Sequence, residues 1–468
     1  MEKLLIEDFA AEGRSLARWD GKVVFVERTV PGDVVDVFLF KNKKDWAEGY
    51  PLVFHEKSPR RVEPFCEHFG DCGGCQWQAV SYQQQLEFKQ RQVKDALERI
   101  GKVPLPPIQP ILGGSRDREY RNKLEYTFGI YRYISEEEFA ALKKEAGEAG
   151  KPLSIAPAAG FHARGLFDKV VDIRRCHLQP EPSNQIRETI RAYALEHDLS
   201  FYDVRHHSGF LRNVQLRICE TGEVMANVIV GENDEAKIRG LLEHLQQSVP
   251  AITTLIYTVN TKKNDSLHDL EPVVFSGKGY VIEKLEEFRF KIGPKSFFQT
   301  NTRQGEQLYR VARDFAGLTG AETVYDLYCG TGSIGIFVSG GAKKIVGVEV
   351  IAEAIADARE NAALNNLQSA SFFAGDVIDI CDDAFFAAHG RPDVIITDPP
   401  RAGMHPKLVQ KILEIAAPVV VYVSCNPATQ ARDLNLLGEK YEVTHIQPVD
   451  MFPHTHHIEN VVRLKWKD

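Results

Sequence analysis

The sequence predicts an α/β protein whose C-terminal part is a doubly wound domain with a mostly parallel sheet. Strand and helix patterns alternate from about residue 291 onward. A glycine-rich turn at 330–335, of the form G-x-G-x-x-G, separates a predicted strand from a predicted helix. Short β-patterned segments near the N-terminus predict a further small β-domain. At roughly 100–200 residues per domain, 468 residues suffice for about three domains, which we place at 1–58, 59–290 and 291–468.

The composition is that of a soluble globular protein with an acidic balance. Hydrophobic residues make up 43% and charged residues 26%, and 57 Lys and Arg against 65 Asp and Glu give a net charge of −8. The longest apolar stretch, 415–423, is far shorter than the ~20 residues that cross a bilayer. Residues 1–8 contain acids where a signal peptide is apolar, so we expect a cytoplasmic protein with no membrane contact. Any binding of nucleic acid would have to rest on local basic patches.

Residues 1–58 contain four short alternating segments separated by turn signals, which predict a small β-barrel. The segments are 4–8, 22–26, 34–41 and 46–55. Such a barrel can be a purely structural module. It can also bind nucleic acid, in which case Lys41, Lys43 and Lys44 are candidate phosphate contacts.

Residues 59–290 predict an α+β domain that begins with a cysteine motif. Cys66, Cys72 and Cys75 precede an amphipathic helix at about 81–100. Eight unevenly spaced cysteines argue against a disulfide framework, and the spacing alone leaves zinc and an iron–sulfur cluster both open. Further along, the sequence predicts a proline-rich linker at 104–110 and a charged, solvated helix at 136–149. It also predicts three β-patterned segments, at 123–128, 214–219 and 254–259.

The region 291–468 predicts seven strands and four helices. The strands are 323–327, 344–349, 370–374, 394–398, 419–424, 441–448 and 460–465, and the helices are 303–316, 332–338, 351–365 and 407–416. In a doubly wound sheet, ligands bind outside the carboxyl ends of the strands. The residues at those ends are therefore the candidates for function.

The ends of the first three strands contain residues suited to a nucleotide-like cofactor. The glycine-rich turn lets the backbone approach a ligand closely, but it does not separate a dinucleotide from S-adenosylmethionine. Glu349 ends the second strand, where a carboxylate can accept hydrogen bonds from two ribose hydroxyls. Asp376 follows the third strand, where an adenine amino group could be bound.

The fourth strand ends in Asp398-Pro399-Pro400-Arg401, which favours a methyl donor over a dinucleotide. An acidic residue before two prolines gives a stiff, sharply turned strand end. Methyltransferases that act on exocyclic amines usually have an aromatic residue after the prolines, and Arg401 stands there instead. A purely structural Pro-Pro turn is the alternative.

Cys425 ends the fifth strand, at the same sheet edge as Asp398. A free cysteine is most often a small buried hydrophobe, but a thiol at the mouth of a cofactor cleft suits nucleophilic catalysis. Close to the C-terminus, Glu459 is a candidate proton acceptor. Three nearby histidines, His454, His456 and His457, are an alternative metal site, although the last two would point to opposite faces of a strand.

A methyl donor, a cysteine nucleophile and a base together fit methylation of carbon 5 of a pyrimidine. This carbon is a poor nucleophile until a thiolate adds to carbon 6 and converts the ring to an enolate. Carbon 5 can then attack the methyl group, after which a base removes the carbon 5 proton and the cysteine is eliminated.

With these residues in place, the sequence resembles the RNA uracil-C5 methyltransferase family over nearly the whole chain. Four motifs of the family's catalytic domain occur in order. They are Phe297-Phe298-Gln299-Thr300-Asn301, Asp398-Pro399-Pro400-Arg401, Ser424-Cys425-Asn426-Pro427 and His456-His457-Ile458-Glu459. Residues 1–58 resemble the family's TRAM domain, an OB-like RNA-binding barrel, and two segments resemble landmarks of its central domain, Tyr120-Arg121-Asn122-Lys123 and Gly160-Phe161-His162.

The resemblance implies a class I, Rossmann-like methyltransferase domain and a role for each site residue. The implied S-adenosylmethionine contacts are Gln299, Tyr328, Glu349, Asp376 and Asp398. Cys425 is the implied nucleophile and Glu459 the implied proton acceptor. Four cysteines match the ligands of a [4Fe–4S] cluster in the ribosomal-RNA branch of the family, which favours this cluster over zinc: Cys66, Cys72, Cys75 and Cys176.

We therefore expect a monomeric enzyme that methylates carbon 5 of a uridine in 23S ribosomal RNA, because the transfer-RNA branch typically lacks both the barrel and the cluster. The target base has to be extruded from folded RNA to reach Cys425. Alternatives are a transfer-RNA methyltransferase, a non-catalytic RNA-binding or ribosome-assembly factor, and an amine or protein methyltransferase, which Arg401 disfavours. The candidate phosphate contacts are Lys41, Lys43, Lys44, Arg60, Arg61, Arg116, Arg118, Arg121 and Lys123.

Overall fold

The computed structural model describes residues 1–467, so Asp468, the last residue of the predicted third domain, lies outside it. Three large β-sheets and one two-stranded hairpin follow each other along the chain. Each large sheet packs against its own buried apolar residues. Within residues 1–467, no helix combines the length and the apolar character needed to cross a membrane.

The N-terminal sheet has the strand order β1-β5-β6-β4-β3-β2 and closes on itself. Its strands are β1 (Leu4–Leu5), β2 (Asp8–Phe9), β3 (Ser15–Trp19), β4 (Lys22–Val26), β5 (Val34–Asn42) and β6 (Trp46–Glu56). β1 and β2 follow each other along one short stretch of chain, yet β1 pairs with β5 and β2 pairs with β3. The two edges of the sheet are therefore joined around Val24, Val35 and Ala47. β3 lies outside the predicted segments because its sequence has no β-branched residue.

Helix α1 (Tyr82–Ala96) follows the cysteine motif and agrees with the predicted helix. Ser81 caps it by accepting a hydrogen bond from the backbone N–H of Gln84. One π-helical turn, Leu97–Gly101, extends the helix and packs against a helix of the C-terminal domain. α1 therefore joins the N-terminal half of the chain to the C-terminal sheet.

The central sheet has the order β13-β12-β11-β10-β7-β8-β9, and all neighbours are antiparallel except β11 and β12. Its strands are β7 (Lys123–Gly129), β8 (Ala158–His162), β9 (Val170–Asp172), β10 (Leu211–Ile218), β11 (Val224–Val230), β12 (Thr254–Val259) and β13 (Val273–Ser276). Helices α3 (Ser183–Glu196) and α4 (Glu235–Ser248) contribute to its core. The charged insertion forms α2 (Glu136–Glu148), which has no buried residue and agrees with the predicted solvated helix.

The C-terminal sheet has the order β18-β17-β16-β19-β20-β22-β21. β22 runs in the opposite direction to the other six strands. Its strands are β16 (Thr323–Leu327), β17 (Lys344–Glu349), β18 (Ala370–Ala374), β19 (Val394–Thr397), β20 (Val419–Ser424), β21 (Tyr441–Val449) and β22 (Glu459–Trp466). A hairpin of β14 (Val281–Leu285) and β15 (Phe288–Ile292) packs in the same core. The predicted α/β domain with a mostly parallel sheet is confirmed.

Within residues 1–467, seven helices accompany this sheet. They are α5 (Thr302–Ala316), α6 (Ser333–Val338), α7 (Ala352–Leu364), α8 (Val377–Ile380), α9 (Asp383–His389), α10 (Pro406–Ile415) and α11 (Pro427–Leu437). Helices α8, α9 and α11 were not predicted from the sequence. For α11 the signal was present, because Asn426 caps the helix and Pro427 occupies its first turn.

Candidate active site

The glycine-rich turn between β16 and α6 brings the backbone close to the sheet edge. Tyr328, directly after β16, has a φ of 61°, and Gly332 has a φ of 76°. A Cβ atom at Gly332 would lie 2.9 Å from the ring of Phe372, so only glycine fits there. The hydroxyl oxygens of Tyr309 and Ser333, 2.9 Å apart, link α5 to the end of this turn.

A cavity of about 410 Å³ lies at the carboxyl ends of β16, β17 and β18. Three of the predicted cofactor contacts line it: Tyr328, Glu349 and Asp376. Backbone N–H groups hold both carboxylate oxygens of Glu349, with Oε2 3.3 Å from the nitrogen of Gly330 and Oε1 3.1 Å from that of Ile351. Asp376 caps α8 with one oxygen. The carboxylate of Glu349 is therefore fixed at the wall of the cavity.

Gln299 and Asp398, the other two predicted cofactor contacts, lie around the hydroxyl of Tyr309 and not in the wall of this cavity. Gln299 is buried, and its side chain reaches the Tyr309 hydroxyl. Burial raises the pKa of Tyr309, and the nearby carboxylates of Asp398 and Asp326 raise it further. The predicted contacts thus form two neighbouring groups at one sheet edge.

Asp326, in β16, is a site residue that the sequence analysis did not single out. Its Oδ2 accepts a hydrogen bond from the backbone N–H of Gly335 at 2.8 Å, and its Oδ1 has no partner within residues 1–467. Burial raises the pKa of Asp326 to about 7, with the charges of Asp398 and Glu349 adding to the effect. The available signal was an acidic residue inside an otherwise apolar strand, which is rare without a function or a partner.

Cys425 and Glu459 lie opposite each other at the same sheet edge. Cys425 follows β20 directly, and β22 begins at Glu459. The two strands are antiparallel with Ser424 paired to Asn460, so the next position along each strand places Cys425 against Glu459. Glu459 is 7% exposed, whereas Cys425 is half-buried. The candidate nucleophile and the candidate base are thus brought together.

The thiol and two carboxylates influence one another's protonation. Burial, followed by the charges of Glu459 and Asp398, raises the pKa of Cys425 to about 11, while Arg401 lowers it. Burial raises the pKa of Asp398 to about 7. Burial and the neighbouring Asp398 raise the pKa of Glu459 well above its ordinary value. At neutral pH the resting thiol is therefore protonated, and Glu459 has a strong affinity for a proton.

The three histidines lie in the bend before β22 and not in the strand. In this bend the ring centroids of His456 and His457 are 4.2 Å apart, whereas a strand would point the two side chains to opposite faces. His454 is buried and hydrogen-bonded to Gln85. Among residues 1–467, no group of three or more His, Cys, Asp or Glu side chains is arranged to hold a metal ion, so the histidines do not form such a site.

A cleft of about 990 Å³ contains Cys425 and is bounded by three parts of the chain. They are the start of the N-terminal sheet, helix α1, and the C-terminal loops that include Arg401, His456 and His457. In the described chain, the basic residues that line it beside the histidines are Arg18, Arg91, Arg99 and Arg401. None of the nine predicted phosphate contacts is among them. These arginines come from distant segments, so their convergence could not be predicted from local patterns.

The four predicted cluster ligands line a smaller cavity of about 180 Å³. Cys66, Cys72 and Cys75 precede α1, and Cys176 follows β9. All four thiols are free, and burial raises the pKa of each, to about 12 for Cys72 and Cys75. The four cysteines line one cavity, but among residues 1–467 they are not arranged as a group that could hold a metal ion, so the iron–sulfur cluster stays a prediction.

The fold and the strand-end site define an α/β methyltransferase. A solved structure of a Pyrococcus abyssi tRNA (uracil-54, C5)-methyltransferase in complex with S-adenosyl-L-homocysteine is similar, with a TM-score of 0.74 and 27% identity. The match covers 99% of this chain and 100% of that chain.

Sequence comparison identifies the family within this class. A family model described as tRNA (Uracil-5-)-methyltransferase matches residues 273–467. An uncharacterized RNA methyltransferase of Bacteroides thetaiotaomicron is 50% identical over 459 residues, which cover 97% of this chain and 99% of that protein. Another, of Porphyromonas gingivalis, is 48% identical over 463 residues and 98% of both proteins. The chain belongs to the RNA uracil-C5 methyltransferase family.

Replacing Arg401 with methionine should make Cys425 less reactive at any given pH, because Arg401 lowers the pKa of the thiol. The thiolate is the reactive form, so wild-type alkylation by iodoacetamide should rise about tenfold per pH unit between pH 7 and 10. The variant should react more slowly across this range, as measured by peptide-resolved mass spectrometry of Cys425. Arg239→Met, an exposed arginine on α4, serves as the control. Equal rates for Arg401→Met and wild type would contradict this role of Arg401.

Proposed function

We propose that this protein methylates carbon 5 of a uridine in RNA, with S-adenosylmethionine as the methyl donor and 23S ribosomal RNA as the substrate. The observation that carries the proposal is the register of β20 and β22, which sets Glu459 against Cys425 beside Asp398. A nucleophile and a base on one side of a cofactor pocket are what carbon 5 methylation requires. We further propose that the protein acts as a monomer in the cytoplasm.

The pocket chemistry suits S-adenosylmethionine, which supplies an electrophilic methyl group on a positively charged sulfur when bound. Three carboxylates converge on the sheet edge, from Asp326, Glu349 and Asp398, and burial, followed by the charges of the other two, raises the pKa of Asp326. A cation is favoured where several carboxylates lie close together. Glu349 is placed to accept ribose hydroxyl hydrogen bonds, and Tyr328 and Asp376 line the same cavity.

In the proposed reaction Cys425 acts first. Its thiol releases its proton to solvent, and the Sγ atom bonds to carbon 6 of the uracil while the π electron pair between carbons 5 and 6 moves toward carbon 5 and the carbonyl at carbon 4. Carbon 5 takes the methyl group, and the electron pair of the broken bond stays on the sulfur of the donor. Glu459, in its carboxylate form, then removes the proton from carbon 5, the bond from carbon 6 to Sγ breaks, and the double bond is restored. The raised pKa of Glu459 makes its carboxylate a stronger base for this step.

RNA is the proposed partner because the cleft that contains Cys425 is walled by the barrel and by arginines from separate segments. Arginine pairs with phosphate oxygens in a bidentate manner. A base must leave its stack to reach a thiol at the bottom of such a cleft. We propose that Arg18, Arg91 and Arg99 contact the backbone around the extruded nucleotide, and that residues 1–58 are a TRAM-type RNA-binding barrel.

We propose a [4Fe–4S] cluster at Cys66, Cys72, Cys75 and Cys176. The four cysteines line one cavity of about 180 Å³, and the residues here would contribute four thiolates to the cluster. The resemblance to the ribosomal-RNA branch favours the cluster over zinc. Because the four cysteines lie in residues 59–290 and not at the strand ends of the C-terminal sheet, we propose that the role of the cluster is structural.

Transfer RNA is a second candidate substrate. The solved Pyrococcus abyssi enzyme is named for uracil 54 of transfer RNA, and it matches 99% of this chain. The length of this chain and its match over nearly all residues therefore do not indicate ribosomal RNA rather than transfer RNA as the substrate. The four cysteines are what favours 23S ribosomal RNA, through the resemblance to that branch of the family.

Glu349→Ala should weaken binding of S-adenosylmethionine by removing two charge-assisted hydrogen bonds to the ribose, each worth about 1.5–3 kcal/mol. Isothermal titration calorimetry measures the affinity. Glu349→Gln, which keeps one acceptor and the shape of the side chain, should have an intermediate affinity. Glu414→Ala, an exposed glutamate on α10, is the matched control. Unchanged affinity in Glu349→Ala would remove this residue from the site.

Cys425→Ala should abolish methyl transfer and any covalent enzyme–RNA species, since no bond to carbon 6 can form. Glu459→Gln should still attack and still transfer the methyl group, because it acts only afterwards, and should then accumulate a methylated covalent adduct. The adduct is measured by denaturing electrophoresis with label in the methyl group of the donor. A Glu459→Gln enzyme that releases product at the native rate would show that Glu459 is not the base.

The same assay tests the substrate. Transcripts of 23S ribosomal RNA and of transfer RNA are offered separately to the wild-type protein, and 5-methyluridine is mapped by mass spectrometry. Methylation of the ribosomal transcript alone is the expected result. Methylation of transfer RNA alone would transfer the proposal to the second candidate, and wild-type protein that methylates neither would favour a non-catalytic RNA-binding role.

Anaerobically purified protein should be brown and contain iron and acid-labile sulfide. Both should fall when Cys66, Cys72, Cys75 or Cys176 is changed to serine, because each change removes one thiolate ligand. Cys425→Ala, which lies outside the cysteine-lined cavity, should keep its iron and sulfide. Stoichiometric zinc without sulfide would overturn the cluster assignment.

A further inference from the structure

The loop formed by residues 450–458 leads directly into Glu459. It leaves β21 after Val449 and enters β22 at Glu459, which pairs with Val449. The pairing of β20 with β22 ends at Ser424 and Asn460, one residue short of Cys425 and Glu459. Contacts that hold the loop therefore add to the strand register in fixing the start of β22.

Lys89 of α1 holds the start of this loop. The side chains of Lys89 and Asp450 are both fully buried, and Nζ lies 2.6 Å from Oδ1 of Asp450 and 3.1 Å from the carbonyl oxygen of Phe452. The hydroxyl of Tyr82 donates to the other oxygen of Asp450 at 2.8 Å. Buried charges are tolerated only when they are closely paired, so this pair strongly resists displacement of the loop.

Gln85, one helical turn before Lys89 on the same buried face, holds the middle of the loop. Its Oε1 accepts a hydrogen bond from the backbone N–H of His454 at 2.8 Å, and its Nε2 lies 3.1 Å from Nδ1 of the same histidine. Nε2 also donates to the carbonyl oxygens of Trp77 and Val80. One amide thus fixes both the backbone and the ring of His454.

We propose that Lys89 and Gln85 are positioning residues for the removal of the carbon 5 proton, because they fix the loop that leads into Glu459 and so hold its carboxylate where the register of β20 and β22 sets it. The inference rests on the proposed function and adds a distinction between its steps. Glu459 takes part in release of the adduct and not in the bond from Cys425 to carbon 6. Loosening the loop should therefore slow the second step and spare the first.

Gln85→Leu, which keeps the size of the side chain and removes its hydrogen bonds, is the first variant. Lys89→Met alone leaves Asp450 buried without a partner, so the second variant is the double change Lys89→Met with Asp450→Leu, which removes both buried charges. Gln83→Leu and Lys94→Met, on the exposed face of the same helix, are the matched controls. Thermal melting verifies that each variant is folded.

Single-turnover assays with labelled S-adenosylmethionine and the RNA that the wild type methylates measure adduct formation and product release separately. In both variants we expect adduct formation within about twofold of wild type and release slowed about 10- to 100-fold, the cost of a misplacement near 1 Å. The adduct should therefore accumulate. A general loss of packing would slow both steps and would not lead to this accumulation. Release at the wild-type rate in the variants, or equal slowing of both steps, overturns the positioning role. The proposed function still stands in that case as long as the wild-type protein methylates the RNA. Wild-type protein that forms neither adduct nor product overturns the proposed function itself and this inference with it.

Discussion

The antiparallel register of β22 against β20 is the constraint on which the candidate active site depends. A buried amide pair helps to fix it: Nδ2 of Asn460 donates to Oε1 of Gln430 at 2.7 Å, and Nε2 of Gln430 donates to the carbonyl oxygens of Tyr422 and Asn460 at 2.9 and 3.1 Å. A slip of one residue would turn the side chain of Glu459 to the other face of the sheet. The helix that follows Cys425 thus sets the register that brings Glu459 to it.

The cysteine-lined cavity and the reaction cleft share a short segment of chain. Directly after Cys75, the backbone N–H groups of Gln76 and Trp77 donate to the carbonyl oxygen of His454 at 2.9 and 3.1 Å. The hydroxyl of Tyr120 donates to the carbonyl oxygen of Pro453 at 3.0 Å. A change in bonding at Cys75 would therefore shift Gln76 and Trp77, the next two residues, which contact the loop before Glu459. In this fold a structural role for the cysteines and a correct geometry of the base are physically linked.

Much of the C-terminal sheet could be predicted because its strands are apolar runs bounded by clear turn signals. The predicted and observed bounds of β16, β17, β18 and β20 coincide. Once the strand ends were placed, the convergence of Glu349, Asp398 and Cys425 followed from the rule that parallel strands end at one edge. The role of Asp326 could have been predicted, because it is an acidic residue in an apolar strand. Two features could not have been predicted: the positions of Arg18 and Arg91 in the cleft, and the ring contact of His456 with His457. Each depends on tertiary packing that leaves no periodic signal in the sequence.

The carboxylates of the site link the charge of the cofactor to the basicity of Glu459. The neighbouring charge of Asp398 adds to the effect of burial in raising the pKa of Glu459. A cation bound among Asp326, Glu349 and Asp398 opposes this repulsion, so in the proposed complex Glu459 is more readily ionised before methyl transfer. Methyl transfer removes the positive charge from the sulfur. In the proposed reaction the proton affinity of Glu459 then rises when carbon 5 has a proton to lose, because Asp398 is again without a counterion. Asp398 would thereby couple the charge of the methyl donor to the basicity of Glu459.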